Sequence, residues 1–486
     1  MRLNLPAIAH ILGLLLIINS LFMGICIPFS LAHNDGSWRS LLMAASITLL
    51  VGGLTFFSTN RIQKRDIRKK DGYVIVSVGW IVMSLFATLP YMLEGSIPNI
   101  TDAFFETVSG YTTTGASILN DIESVPIGIL TWRSMTQWIG GMGIIVLTVA
   151  IVPLLGMGGI QLFSAESPGL SPDKLKPRIA DTAKRLWGIY MGLTMIETLL
   201  LMLAGMTFTE AFNHSLTTMA TGGFSTKQDS VAYYDSPMIQ YIIIVFMFFA
   251  GTNFSITYMA LHRQFKKVWE NEEFRYYSLI ILACTLIISI IVIFNNNASA
   301  LEKDFRDVLF QVVSVITTTG FVTADYTQWT TFVMIIILIL MFVGGSAGST
   351  AGGVKVIRHV ILFKNSLLEF RRQLHPHGVI PVRINRKAIE SNTTFNVLAF
   401  IFIYLIVFSV GVLILAALGL DFETSVGALA TSLGNIGPGI GKVGPMDNFA
   451  WLPDSVKWVL SFFMLLGRLE LFTLLLIFTP SFWKEY

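Results

Sequence analysis

Ten stretches of mostly apolar residues, each long enough to cross a lipid bilayer, dictate what this chain can fold into. A spanning helix needs roughly 20 such residues. The runs fall near residues 8–31, 38–58, 73–93, 129–155, 185–206, 238–261, 274–294, 329–363, 393–418 and 453–479. Composition agrees, since 53% of the 486 residues are hydrophobic and only 13% charged, far from the balance of a soluble domain. In hydrocarbon every backbone N–H and C=O must find its partner inside the protein, so helices are expected throughout. The first run exceeds the roughly 7–15 residues of a secretory signal's core and reads as a span. Cys26 and Cys284 lie inside apolar runs and read as small buried hydrophobes rather than a disulfide or metal pair.

Charge placement orients the spans. With the N-terminus cytoplasmic, the inner segments are 1–7, 60–72, 156–185, 262–276, 355–392 and the C-terminus, and they hold 25 of the 33 Lys and Arg. The richest are RIQKRDIRKK, from Arg61 to Lys70, and the cluster of Arg371, Arg372, Arg383, Arg386 and Lys387. This is the positive-inside bias, and it puts both termini in the cytoplasm. Of the 30 acids, 17 fall outside against six basic residues, so the outer face is net negative and concentrates cations.

A Thr/Gly-rich loop is written four times: GYTTTGAS from Gly110, then MATGGFST, ITTTGFVT and LGNIGPGI. Each lies on the outer side between two spans, and each follows a stretch too short to cross: TDAFFETVSG, TEAFNHSLTT, RDVLFQVVS and FETSVGALA. Asp102, Glu210 and Asp307 precede Gly115, Gly223 and Gly320 by 13 residues, and Glu423 precedes Gly437 by 14. A carboxylate opening a short helix suits the helix dipole. A small-residue signature follows in the second span, at Gly140, Gly251, Gly344 and Gly467. The unit is therefore span, half-helix, Gly loop, span, occupying 73–155, 185–262, 274–363 and 393–480, with two further helices in residues 1–60. The expected fold is an all-α polytopic membrane protein of about ten spans and four half-helices, with four pseudo-symmetric units around a central pore.

Non-helical backbone at membrane depth survives only where it is buried or lines a wet cavity. Four Gly-bearing loops in register make a ring of carbonyl oxygens, which can replace the hydration shell of a monovalent cation, with four half-helix C-termini adding negative potential. The candidate cation-binding residues are Thr112, Thr113 and Gly115; Ala220, Thr221, Gly222 and Gly223; Thr318, Thr319 and Gly320; and Gly434, Asn435, Ile436 and Gly437. In the fourth loop both Gly434 and Gly437 offer the close approach, and spacing favours Gly437.

This four-unit layout, with TTTGAS, ATGGFST, TTTGFVT and GNIGPG as its loops and GRLELFTLL in the last span, resembles the Trk, Ktr and HKT superfamily of cation transporters over essentially the whole chain. The two leading spans make it most similar to the bacterial Trk-type potassium-uptake pore subunits. The resemblance implies a homodimer of pore subunits in the bacterial inner membrane, gated by a cytosolic nucleotide-binding partner, with K+ as the transported ion, Rb+ as its close substitute and no covalent cofactor. Gly in all four loops goes with potassium selectivity in that superfamily. A nucleic-acid partner is not expected.

The run at 329–363 is longer than one span and contains GGSAGSTAGGVK, from Gly344 to Lys355, where each Gly weakens a helix by roughly 1 kcal/mol. It should unwind. By resemblance Gly344, Gly345, Ser346, Gly348, Gly352 and Gly353 form an intramembrane gating loop; close helix packing through small residues is the alternative. Arg468 lies within a span, where an Arg costs at least roughly 2.5–3.5 kcal/mol and should face a cavity or a partner. It is expected to hold the loop closed, or else to pair with an acid such as Glu197. Two rival functions arise. Gly344, Ser346 and Gly348 spell G-x-S-x-G, the pattern of a serine hydrolase, but in the wrong context for a strand-to-helix elbow. A symporter coupled to protons or sodium would use a carboxylate near a broken helix, Glu197 or Glu470.

Overall fold

The computed structural model describes residues 3–59, 68–143, 179–295, 300–378 and 380–484. Most of the Arg61–Lys70 basic run, the end of the 129–155 span and most of the inner segment 156–185 lie outside the described residues.

The described residues are mostly helical, as the apolar runs require. Helices α1 (Leu5–His33), α2 (Trp38–Thr59), α3 (Lys69–Ala87) and α4 (Leu89–Glu94) precede a short helix, α5 (Ile100–Tyr111), and an outer helix, α6 (Ile127–Trp138), which continues as one π turn over Ile139–Gly143. The same order recurs as α7 (Ile179–Leu203), short α8 (Phe208–Met219), α9 (Pro237–Ala250) and α10 (Phe254–Leu261), with α11 (Phe265–Glu270) as connector. Next come α12 (Glu272–Asn295), short α13 (Leu301–Ile316), α14 (Thr331–Val343) and α15 (Val356–Leu374). The last set is α16 (Ser391–Ala417), short α17 (Phe422–Gly434), α18 (Asp454–Arg468) and α19 (Phe472–Leu475).

Among the described residues six helical stretches are long and apolar enough to span a membrane: Leu5–His33, Trp38–Thr59, Lys70–Glu94, Lys184–Leu203, Glu272–Asn295 and Ser391–Ala417. Their outer faces carry exposed apolar side chains such as Phe57, Phe402 and Leu413, as a hydrocarbon solvent demands. The protein is a multi-pass membrane protein.

Three of the ten apolar runs are not single straight helices, two of them against expectation. The 238–261 run bends by 112° between α9 and α10, because the helix stops at Gly251 and Asn253 restarts it, its side chain capping the Ser255 N–H at 2.8 Å. The 453–479 run bends by 111°, where Glu470 and Leu471 both take positive φ, 53° and 55°, and Phe472 N closes a tight turn on Glu470 O at 2.6 Å. The 329–363 run stops at Val343 and resumes at Val356, as its glycines led us to expect. The third short helix also departs from expectation: it begins at Leu301, so its first turn carries Glu302 and Asp304, and Asp307 sits one turn in. One exception to an all-helical chain is a two-residue antiparallel ribbon, Arg383–Ile384 with Lys387–Ala388, closed by Asn385 and Arg386, both at positive φ, as a tight hairpin turn needs. Both cysteines are free, Cys26 buried and Cys284 half-buried.

Packing follows a cyclic order. Outer helix α6 packs on short helix α8, α9 on α13, α14 on α17, and α18 returns to α5. The leading hairpin, α1 against α2, buttresses α6 from outside. It depends on one close crossing: a Cβ at Gly13 would lie 2.8 Å from Gly52 O, and one at Gly52 would lie 2.9 Å from Gly13 O. Backbone atoms cannot yield there as a side chain would, and overpacking costs typically 1–3 kcal/mol. We therefore expect Gly13→Val to lower the melting midpoint in detergent, followed by size-exclusion chromatography after heating; an unchanged midpoint would mean that the hairpin crossing bears no load.

Candidate functional site

The four Gly loops begin where the four short helices end, and they end identically. The N–H of Thr114 donates to Ser109 O at 2.9 Å, Gly222 to Thr217 O at 2.9 Å, Thr319 to Ser314 O at 2.8 Å and Ile436 to Thr431 O at 3.0 Å. Each is the long closing bond of a helix C-terminus whose preceding residue is left-handed. Those residues are Thr113, Thr221, Thr318 and Asn435, at φ 53°, 54°, 55° and 54°. Asn tolerates this conformation, but a β-branched Thr does not. The three Thr store strain of order 1–3 kcal/mol each, which the surroundings must offset. Two residues on, Gly115, Gly223, Gly320 and Gly437 take φ 83°, 75°, 82° and 104°. Asn435 and Gly437 thus match the other loops in register, and Gly434 is the last residue of α17.

These loops meet one another head to tail. A Cβ built on Gly115 would collide with Gly222 O, one on Gly223 with Thr319 O, and one on Gly320 with Ile436 O; one on Gly437 would lie 2.9 Å from Thr114 O. The contacts run first to second, second to third, third to fourth and fourth back to first. Thr112, Thr113, Ala220, Thr221, Thr318, Thr319, Asn435 and Ile436 are all fully buried around this ring. The expected loop residues are therefore brought together, except Gly434, which ends α17 and packs on Gly352.

The four loops are held from behind by three different chemistries. Thr112 and Thr114 share a hydroxyl hydrogen bond of 2.8 Å, and Thr317 and Thr319 repeat it at 2.8 Å. In the fourth loop Asn435 Nδ2 donates to Thr114 Oγ1 and to Met464 O, both at 2.9 Å, and Thr431 Oγ1 donates to Gly437 O at 2.6 Å. The second loop has Ala220 and Gly222 where the first and third have Thr. There the Gln137 side chain, from α6, donates Nε2 to Gly222 O at 2.7 Å and accepts from Phe224 N at Oε1 at 3.0 Å.

Just outside the ring Glu106 and Arg133 form a buried ion pair of 2.7 Å. Glu106 also accepts from Ile118 N at 2.9 Å and Ser117 Oγ at 3.0 Å. Arg133 donates to Ser225 O at 2.9 Å and lies over the Phe224 ring at 3.5 Å. Farther out, Lys457 pairs with Asp102 at 2.6 Å and Lys227 with Glu210 at 3.2 Å. Sequence reasoning missed Gln137 and the Glu106–Arg133 pair. The available signal was polarity inside or beside an apolar run, and a lone Gln three residues before a Gly pair.

On the other side of the ring lies the 344–355 loop. Gly344, Gly348 and Gly353 take φ 72°, 75° and 72°, and the loop is anchored at its start by Ser346 N to Gly251 O, 2.9 Å, and Val356 N to Gly345 O, 3.0 Å. Its middle touches the ring directly: Gly352 N donates to Thr318 Oγ1 at 2.6 Å, and Gly352 packs on Gly434 O so closely that a Cβ would collide. Arg468, half-buried, donates Nη1 to Thr350 O at 2.8 Å and Nη2 to Gly140 O and Gly141 O at 2.6 and 2.7 Å. It ties the loop to the π turn. The pair with Glu197 considered from the sequence does not form. Glu197 is buried beside Thr218 with neither carboxylate oxygen hydrogen-bonded, and Glu470 pairs with Arg358 at 2.5 Å. Ser346 Oγ is buried without a hydrogen-bond partner, and the nearby His359 ring bonds Phe342 O at 3.1 Å, so no activated serine is assembled.

The family model described as cation transport protein, TrkH, matches residues 40–485. The Trk system potassium uptake protein TrkH of Salmonella typhimurium is 41% identical over 484 residues, covering 99% of both chains, and TrkG of Escherichia coli K12 is 33% identical over 486 residues, covering 99% of both. The crystal structure of the potassium transporter TrkH from Vibrio parahaemolyticus superposes with a TM-score of 0.89 at 37% identity, covering 99% of this chain and 100% of that one. These relatives are transporters rather than enzymes. With the fold matched end to end and the family model spanning nearly the whole chain, the protein belongs to the TrkH family of cation transport proteins.

Proposed function

We propose that the four loops are the selectivity filter of a potassium-uptake pore, formed by four pseudo-symmetric units around one axis with the two leading helices outside. The observation that carries this reading is cyclic closure: four left-handed turns of the same geometry, each seating its Gly on a carbonyl of the next. Four unrelated membrane turns have no reason to close a circle. Carbonyls at such a ring substitute for the hydration shell of a weakly hydrated monovalent cation. The four helix C-termini that end there contribute negative potential, and the net-negative outer face supplies cations.

Gly344 to Gly353 serve as a gate in the same reading. A guanidinium beside the conduction path opposes cations, and its bonds to three carbonyls hold the loop against the ring. Hydrogen bonds to charged groups are worth roughly 1.5–3 kcal/mol each. Moving an equilibrium from 1:99 to 99:1 takes about 5.5 kcal/mol, so contacts of this size suffice to set closed against open. The differential comes from a cytosolic nucleotide-binding subunit docked on the basic inner face. Arg371 is exposed there, whereas Arg372 is engaged with Ile380 O at 2.9 Å. The chain works as a homodimer in the bacterial inner membrane, termini inward. A proton-coupled carrier is the second reading, favoured by the unpartnered buried carboxylate of Glu197. Unitary currents in liposomes well above carrier turnover rates eliminate it.

Two outcomes follow for ion flux. Gly115→Ser puts a side chain against Gly222 O at a φ that L side chains rarely adopt, and it should lower the preference for K+ over Na+ in reversal-potential measurements. A folded, conducting variant with wild-type selectivity would show that Gly115 does not line the filter. Arg468→Ala and a shortened 348–352 segment should each raise Rb+ uptake into proteoliposomes without the partner, and together they should add little, because both remove the same closed-state contact. Flat or reduced uptake in both, with normal assembly, refutes the gate.

A further inference from the structure

We infer that Gln137 is a positioning residue for ion selectivity: it replaces, from a neighbouring helix, the hydroxyl brace that the second loop lacks. The inference rests on the filter reading above and assigns a residue outside the four loops to it.

The comparison is internal to the chain. In the first and third loops the two residues flanking the left-handed Thr are themselves Thr, and their hydroxyls bond across the turn at 2.8 Å in both cases. In the second loop the flanking positions are Ala220 and Gly222, so no such bond is available. A Cβ at Gly222 would run into the Gln137 carboxamide. The space a Thr side chain would fill is therefore the space Gln137 fills. Its two polar ends are both engaged with that loop, Nε2 on Gly222 O at 2.7 Å and Oε1 on Phe224 N at 3.0 Å, and it is fully buried. Gly222 O is also the carbonyl on which Gly115 sits, so Gln137 fixes the joint between the first and second loops.

Position supports the assignment. Gln137 stands three residues before Gly140, and the residues three before Gly251, Gly344 and Gly467 are Phe248, Met341 and Met464. At this place the other three units are apolar, and the loops other than the second, namely the first, third and fourth, carry a hydroxyl pair or Asn435 of their own. A buried Gln without partners costs the desolvation of its amide. Here both ends are satisfied by one loop, which makes the side chain a two-point clamp.

The test uses the full chain in proteoliposomes, reading the K+ to Na+ permeability ratio from reversal potentials, with monodispersity and melting midpoint recorded for every variant. Gln137→Leu keeps most of the volume and deletes both hydrogen bonds; the ratio should fall by roughly tenfold, the order expected for two net hydrogen bonds. The triple variant Gln137→Ala, Ala220→Thr, Gly222→Thr rebuilds in the second loop the hydroxyl pair of the first and third, and it should return the ratio to within about threefold of wild type. Gly222→Thr with Gln137 retained should lose selectivity or assembly. A role in bulk packing alone would move the melting midpoint and not the ratio, and the triple variant would not restore it. A folded Gln137→Leu with an unchanged ratio overturns the proposal, as does a folded triple variant that stays unselective. If Gln137→Leu does not assemble, the triple variant decides alone. A wild-type chain with no cation preference overturns the filter reading and this one together, whereas the variant results overturn this one only.

Discussion

Irregular backbone surrounded by hydrocarbon-facing helices is the constraint on which this structure depends. Every N–H and C=O in such a segment must be satisfied by the protein itself. The four loops meet that demand at once by closing each short helix with a bond from the residue after the left-handed turn to a carbonyl five residues back. That closure fixes where each Gly lands, and the Gly in turn determines how near the next loop can come. Remove the closure and the helix end, the turn and the inter-loop contact fail together.

What offsets the strain of three left-handed Thr is supplied unevenly. Hydroxyl pairs brace two loops, an amide from a neighbouring helix braces one, and Asn435 braces its own while also reaching Thr114. The 344–355 loop is likewise held by single hydrogen bonds, at Thr318 on one side and Arg468 on the other. Loop and ring are therefore mechanically continuous at Gly352.

Much of this was legible in the sequence, for identifiable reasons. Apolar run length reports the solvent and Gly reports left-handed or crowded backbone, so helices, loops and the break after Val343 could all be read directly. The bends at Gly251–Asn253 and Glu470–Leu471 could not. The polar interruptions there, Gly251-Thr252-Asn253 and Arg468-Leu469-Glu470, are too brief to split the apolar runs that contain them, and Glu470 and Leu471, both at positive φ, are residue types that carry no turn signal. The early start of α13 was hidden because Leu301 to Asp304 is polar enough to pass for a loop. Gln137 and the Glu106–Arg133 pair were hidden for a different reason: their partners lie in other segments, and pairing across 27 to 87 residues leaves no local pattern.

The cyclic packing, in which α6 leans on α8, α9 on α13, α14 on α17 and α18 on α5, makes the helices a hoop. A closed ring shares any displacement of one loop among all four helix contacts, so the mutual placement of the loops is held by several joints together and not by one alone. Because all four joints lie on one polypeptide, each can be stiffened or loosened separately without touching its counterparts.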